Sequence, residues 1–250
     1  IPVHGYDIFD ALVNFWCVLL SRPNDLADKL RELKPTKEEY ENIKEILLRW
    51  DYTQDMLKDW HTDYYKREAI QLSELDAAAY YYHNHNLSYG PMYLGWMSKI
   101  YQSQTKWDKM TNYIGSYRNP NLKVSKASFD EVIPDYPDDL IYLDPPYYLK
   151  KDDDNKMLKG MYPNCNIDVH HTGFNHELLR DLLHNHKGTF ILSYNNCATI
   201  REYYKDFTLV YPEWHYSYQA GETRVGKYKK ERGVEHNKKE SHEILIIKDS

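Results

Sequence analysis

At 250 residues the chain is long enough to bury one substantial core and to carry an inserted subdomain. Its formal charge of −6 excludes a globally basic nucleic-acid binder while leaving room for local basic patches. Three widely spaced cysteines, Cys17, Cys165 and Cys197, argue against a disulfide framework, and no apolar run is long enough to span a bilayer.

Reduced thiols and the absence of a signal-peptide pattern lead to the expectation of a soluble, intracellular, cytoplasmic protein. Ile1 is not an initiator methionine, so the chain is expected to be part of a longer one. Twenty-five tyrosines supply many flat faces, an excess that biased composition explains as well as function does.

Residues 1–7 read as the tail of a strand ending on Asp7. A helix follows, with Ile8, Leu12, Phe15, Trp16 and Leu19 at helical spacing, and Pro23 ends it. An acid at a strand end before a helix is a recurring ribose-hydroxyl ligand in nucleotide-binding α/β folds, although taken alone it is more often an ordinary helix-start residue. Residues 24–86 are strongly helical. Thr36 with Glu39 forms a capping box ahead of the stripe Tyr40, Ile43, Leu47 and Trp50, and Ser73 with Asp76 caps a helix over Leu75 to Tyr82. From Tyr82 to Pro91 the amides and imidazoles read as a turn. From Gly90 to Asn121 aromatics mix with Lys99, Lys106, Lys109 and Arg118, which suits stacking and phosphate contact or, equally, a solvated face.

An α/β rhythm begins after Pro120. Strands are expected from Leu122 to Val124, Leu140 to Leu143, Thr189 to Tyr194, Phe207 to Tyr218 (one strand or a pair) and His242 to Lys248. Helices are expected over Phe174 to His186 and Ala198 to Tyr204. This alternation predicts a largely parallel sheet covered on both faces. Lys150 to Asn166 reads as a polar lid or solvated loop. Gln219 to Ser241 carries seven Lys or Arg against four Glu, a candidate phosphate contact through Lys227, Lys229 and Lys230 or a solvated loop. His170, His171 and His176 with Asp168 fit no standard zinc spacing, so no metal is expected.

The chemistry concentrates at Ile141 to Tyr148, Ile-Tyr-Leu-Asp-Pro-Pro-Tyr-Tyr. The strand over Leu140 to Leu143 is read as buried, and ligands of open α/β sheets bind beyond the carboxyl ends of strands. Pro145 and Pro146 lack N–H groups, so the Asp144 carboxylate and the Asp144 and Pro145 carbonyls form a cluster of acceptors. With the Tyr147 ring beside them, they suit a planar group bearing an amine, such as a nucleobase. Ser193-Tyr194-Asn195-Asn196 can line the same crevice. No Walker-type loop and no Gly-x-Ser-x-Gly elbow is present.

Asp-Pro-Pro-Tyr at a strand end, with the acid-ended strand upstream and helices between, resembles the Dam-like alpha group of adenine-specific DNA methyltransferases. Gly5-Tyr6-Asp7 with Ile8 to Trp16 looks like that group's second strand and following helix. Ala77 to Gly90 looks more loosely like its target-recognition segment, with Asn84-His85 where the family usually has Asn-Arg. Ser128-Phe129 falls where the family flanks the cofactor adenine, and Ile191 to Asn196 resembles the strand after the catalytic one. The family's first strand and glycine-rich turn are not found before Asp7, which leaves the cofactor half of the site incomplete.

The resemblance implies a Rossmann-like S-adenosylmethionine-dependent methyltransferase sheet formed by residues 1–22 and 121–250, with a helical DNA target-recognition insertion at 23–120. It implies Asp144, Pro145, Pro146 and Tyr147 as the catalytic set, and Asp7, Ile8, Ser128, Phe129 and Asp144 at S-adenosyl-L-methionine. Asn84, Tyr89, Lys99, Arg118, Lys227, Lys229 and Lys230 would lie at DNA. The target adenine would be flipped from the duplex, Tyr147 would stack on it, and Asp144 with the Pro145 carbonyl would take its amino protons. Double-stranded DNA is the implied substrate, and the resemblance allows a cognate restriction endonuclease acting on the same site. A cytosine-N4 or RNA-adenine methyltransferase, a DNA-binding module without catalysis, and a fragment with no independent function remain open.

Overall fold

The computed structural model describes residues 1–53, 68–88, 93–97, 102–148, 174–212, 215–216, 239–240 and 243–249. The chain forms two compact units, Ile1–Val132 and Ile133–Ser250.

Unit 1 begins with β1 (Val3–Asp7) and α1 (Asp10–Ser21). The buried stripe of α1 is Ala11, Phe15, Val18 and Leu19, whereas Ile8 lies outside the helix and exposed. Pro23 stops α1 and opens α2 (Pro23–Glu32), where its fixed φ and missing N–H cost nothing in the first turn. In α3 (Lys37–Arg49) the Thr36 hydroxyl accepts from the Glu39 N–H at 3.2 Å, and Tyr40, Ile43, Leu47 and Trp50 are all buried, as the capping box and stripe predict. The Ser73 hydroxyl likewise accepts from the Asp76 N–H at 3.1 Å and starts α4 (Glu74–Leu87).

Helix α4 does not stop near Tyr82 as the sequence reading expects, but runs on to Leu87. The residues that suggested a turn are internal pegs. His83 Nε2 donates to the Lys34 carbonyl at 2.9 Å, and Asn84 Oδ1 accepts from the Leu94 N–H at 2.7 Å. Leu94 has φ 57°, a left-handed conformation that is strained for a branched side chain. The Asn84 amide fixes that turn. Ala77, Ala78 and Ala79 are buried and small, which lets α1, α2 and α3 all pack against α4.

A further helix that the polar, aromatic text concealed, α5 (Gln104–Ser116), buries Trp107, Thr111 and Ile114 and packs on α2. Its Trp107 indole donates to the carbonyls of Leu30 (3.1 Å) and Leu33 (3.0 Å), satisfying acceptors at the end of α2. The strand β2 (Leu122–Lys126) then pairs in parallel with β1, with Asp7 opposite Lys126. The short helix α6 (Phe129–Asp135) follows and contains the unit boundary.

Unit 2 holds β3 (Ile141–Leu143), α7 (His176–Asn185), β4 (Phe190–Asn195), α8 (Ala198–Tyr203), β5 (Thr208–Val210), β6 (His215–Tyr216), β7 (Lys239–Glu240) and β8 (Glu243–Lys248). The main sheet has the order β3-β4-β8-β5, and β6 pairs with β7 separately. Among the described residues β3 and β4 form the one adjacent parallel pair of the main sheet. β8 lies between β4 and β5, antiparallel to both, so β3, β4 and β5 share one direction and the sheet is largely parallel, as expected, with one reversed strand inserted in it. The helix-strand rhythm shows where strands lie but not which way a distant strand inserts.

β3 is not the buried strand expected: among the described residues it lies at the edge of this sheet, with Leu140 69% and Tyr142 66% exposed. The register ends β3 opposite Leu192, so β4 continues for three residues beside the turn that follows β3. At the opposite end the Lys187 and Gly188 N–H groups both donate to the Pro137 carbonyl, at 2.9 and 3.0 Å. A Cβ on Gly188 would stand 2.3 Å from the Asp139 carbonyl oxygen. Among the described residues no helix is long and apolar enough to cross a membrane.

Gly188→Ala should therefore part the strand entries and lower the unfolding free energy by about 1–3 kcal/mol, read as an earlier denaturant midpoint. A second expectation concerns His83, whose burial lowers its pKa from 6.5 to about 4. The unfolded chain takes up the proton first. His83 therefore contributes stability that is fully present above pH 6.5 and is lost as the pH falls towards 4, by up to about 3 kcal/mol. Denaturant titrations between pH 7 and 4.5 should show this fall, and His83→Gln should flatten it.

Candidate active site

The turn after β3 carries Asp144, Pro145, Pro146, Tyr147 and Tyr148. With no N–H on either proline it cannot be held by a local backbone ladder, and it is held instead by side chains from β4 and β8. Asn195 grips Tyr148 at both backbone groups. Its Oδ1 accepts from the Tyr148 N–H at 2.8 Å, and its Nδ2 donates to the Tyr148 carbonyl at 3.0 Å. Directly across the ladder from Asn195 is Glu243, whose Oε1 accepts from the Tyr147 hydroxyl at 2.6 Å. Asn195 and Glu243 are both buried, so these bonds form where water competes little.

Tyr147 is consequently an inward residue, 9% exposed. Burial, then the Glu243 carboxylate, pushes its phenol far above the ordinary range, so the hydroxyl stays a donor. Stacking on a planar ligand requires the ring to be uncovered, and Glu243 sets its orientation. Asp144 is open to solvent at its surface. Even so, desolvation and then Glu243 raise its pKa, which makes the carboxylate a better proton acceptor.

Behind the turn stands an aromatic cluster. His176 Nδ1 and the Tyr194 hydroxyl are hydrogen-bonded, and the Tyr148 ring meets His176 edge-on at 5.0 Å and Tyr203 at 6.3 Å. Burial lowers His176 to about pKa 4, so it is a neutral packing group at pH 7. Residues 168, 170 and 171, grouped with it in the metal reading, lie outside the described residues.

In unit 1 the parallel pairing of β1 and β2 brings Asp7 and Ser128-Phe129 to the same strand-end edge. Asp7 Oδ1 accepts from the Phe9 N–H at 2.7 Å, which aims the chain into α1. The Ser128 N–H donates to Glu131 Oε2 at 3.0 Å, half of a capping box starting α6. Phe129 is partly buried and Ile8 exposed. Around the Asp7 end lies an aromatic wall that sequence reading missed: Phe9 sits 5.3 Å from Tyr93, 6.0 Å from Tyr81 and 6.2 Å from Tyr52. These residues come from separate helices and turns, so no local pattern announces them.

The DNA-contact expectations fare differently. Asn84 is fully buried and committed to Leu94, so it is a structural peg and not a surface reader. Arg118 is exposed, but its guanidinium donates to the carbonyls of Gly115 (2.9 Å) and Tyr117 (2.6 Å) and to Asn24 (3.2 Å), closing α5. Tyr89, Lys99, Lys227, Lys229 and Lys230 lie outside the described residues, as do the expected lid at Lys150 to Asn166 and Cys165. Glu243 was missed, although a carboxylate opening an Ile-Leu-Ile-Ile strand is a visible signal.

The model of one protein family matches residues 2–218 of the chain, that of the D12 class N6 adenine-specific DNA methyltransferases. No match to a curated protein was found.

Proposed function

The chain belongs to the D12 class N6 adenine-specific DNA methyltransferase family, and from that premise we propose that the Asp144 turn is where the adenine amine is activated. Methylation of adenine N6 in DNA is the family's activity, and nothing favours a cytosine or RNA target. The single observation that carries the assignment of Asp144 is its place in a proline-locked acceptor cluster clamped by Asn195 and Glu243.

The target adenine is flipped out of the duplex, because in the stacked pair its amino group is engaged. The Asp144 carboxylate accepts one amino proton and the Pro145 carbonyl the other, which concentrates the nitrogen lone pair for attack. Pro146 keeps the turn extended. Tyr147 borders the base, with its ring orientation set by Glu243. Desolvation and Glu243 raise the basicity of Asp144, so the group is suited to hold the proton that N6 must shed. Catalysis by positioning and electrostatics suffices.

The methyl donor we propose is S-adenosyl-L-methionine, which when bound supplies an electrophilic methyl group. In unit 1 the residues at the carboxyl edge of β1 and β2 fit its nucleoside: the Asp7 carboxylate for the ribose hydroxyls, with Ile8, Ser128 and Phe129 for the adenine. A Rossmann-like sheet is supported by the parallel pairs β1-β2 and β3-β4. The insertion of α2 to α5 between two adjacent strands supports a recognition subdomain over 23–120. The order of Asp7, helices and Asp144 favours the Dam-like alpha group.

The exposed lysines of α5, Lys106 and Lys109, are suited to phosphate. Tyr89, Lys99, Lys227, Lys229 and Lys230 remain proposed DNA contacts, and a restriction endonuclease reading the same site is the proposed partner class.

Asp144→Ala should reduce methyl transfer to duplex DNA by at least about 100-fold with DNA affinity within about twofold. Near-normal turnover would refute the assignment. Asp7→Ala should weaken S-adenosylmethionine binding about tenfold in calorimetry, the loss expected for a charge-assisted pair of hydrogen bonds. Unchanged affinity would remove Asp7 from the cofactor site.

A further inference from the structure

Glu243 lies beyond residues 2–218, the span matched by the family model, and yet it holds the first residue after the double proline. Its carboxylate is buried, 8% exposed, at the first position of β8, and its strand partner is Asn195. The two side chains leave the same face of the ladder, since paired residues of antiparallel strands point together. One takes the Tyr147 hydroxyl and the other takes both backbone groups of Tyr148. The cross-strand pair therefore grips two successive residues of the turn at three points, two from Asn195 and one from Glu243.

A buried carboxylate is an expensive way to fill a strand position, and an apolar side chain there would serve packing as well or better. What an apolar residue cannot do is accept the phenol proton of Tyr147. We propose that Glu243 is a positioning residue for methyl transfer, acting through the Tyr147 hydroxyl to fix the Asp144 turn against the end of β4. The proximity of Glu243 to Asp144 adds a second effect of the same sign, since its charge makes Asp144 the more avid proton acceptor.

The inference rests on the reading that places the adenine amine at Asp144. Glu243 touches no reacting atom. It acts by keeping the carboxylate and the Pro145 carbonyl at a separation and angle that both amino protons can meet. A displacement on the order of 1 Å in such a site can cost up to about 100-fold in rate.

The test is a double-mutant cycle on the full chain with duplex DNA and S-adenosylmethionine, using Glu243→Leu, Tyr147→Phe and both together, with Glu243→Gln as the conservative variant. Each variant is assayed for kcat, for KM towards DNA and for thermal unfolding. Positioning predicts that Glu243→Leu and Tyr147→Phe each lower kcat about tenfold with KM within about twofold. The double variant should be no slower than Glu243→Leu alone, because the bond to Tyr147 is already lost there. Glu243→Gln, which keeps an acceptor oxygen, should recover most of the rate. The double variant should also unfold at or above the parent temperature, because it removes donor and acceptor together.

Parent-like kcat in Glu243→Leu, additive losses in the cycle, or rate losses that follow the unfolding temperature through all four variants would each overturn the proposal. Asp144→Ala assayed alongside separates the two failures. If Asp144→Ala is dead while the Glu243 and Tyr147 variants turn over normally, only the positioning role falls. If Asp144→Ala is active, the site reading falls and the positioning role with it.

Discussion

Two consecutive prolines give the Asp144 turn its chemistry and also take away its means of support. Pro145 and Pro146 leave the turn rich in acceptors and poor in donors, which suits the amine-binding role proposed for it. The same substitution of donors by ring carbons means the turn cannot be stitched to a strand in the ordinary way. Asn195 and Glu243 take over that work, and the extension of β4 beyond the end of β3 puts them within reach. The edge position of β3, the insertion of β8 and the clamp are parts of one arrangement: without the antiparallel strand beside β4 there is no carboxylate for Tyr147.

Unit 1 solves a related problem with buried polar groups. Helix α4 is packed by α1, α2 and α3, so the polar residues towards its C-terminal end are buried or half-buried. His83, Asn84, Asn86 and Ser88 spend their hydrogen bonds on the carbonyls and N–H groups of Lys34, Leu94, Tyr82 and His85. Each such bond is modest in net energy, but leaving its partner unmet in the interior is costly. The helix therefore specifies which loops lie against it as well as filling the core. That specificity runs to the strained backbone at Leu94, which persists because Asn84 and the surrounding aromatics over-determine it.

How far the sequence could be read divides along physical lines. Signals local in the chain were legible: the Thr36-Glu39 and Ser73-Asp76 caps, the stripe from Tyr40 to Trp50, the strand ending on Asp7, and the Asp-Pro-Pro-Tyr turn. So were β4 and β8 as apolar runs. What failed was tertiary. The continuation of α4 looked like a turn because buried amides and exposed amides are the same letters. α5 was hidden by its polar face, and α6 by its brevity, although Ser128 and Glu131 do form a cap. The antiparallel placement of β8 has no signature in its own residues. Glu243 could have been suspected as a charge opening an apolar strand, but its partner, 96 residues earlier, could not.

That separation along the chain bears on biosynthesis. The Asp144 turn leaves the ribosome well before the strand that secures it, an interval on the order of ten seconds at ordinary elongation speeds. Until residues 243–248 emerge, β4 and β5 lack the strand that joins them, and the Tyr147 hydroxyl has no carboxylate to meet. The residues proposed for catalysis are thus synthesised early, and the bond that anchors Tyr147 can form only once β8 has been made and set between β4 and β5.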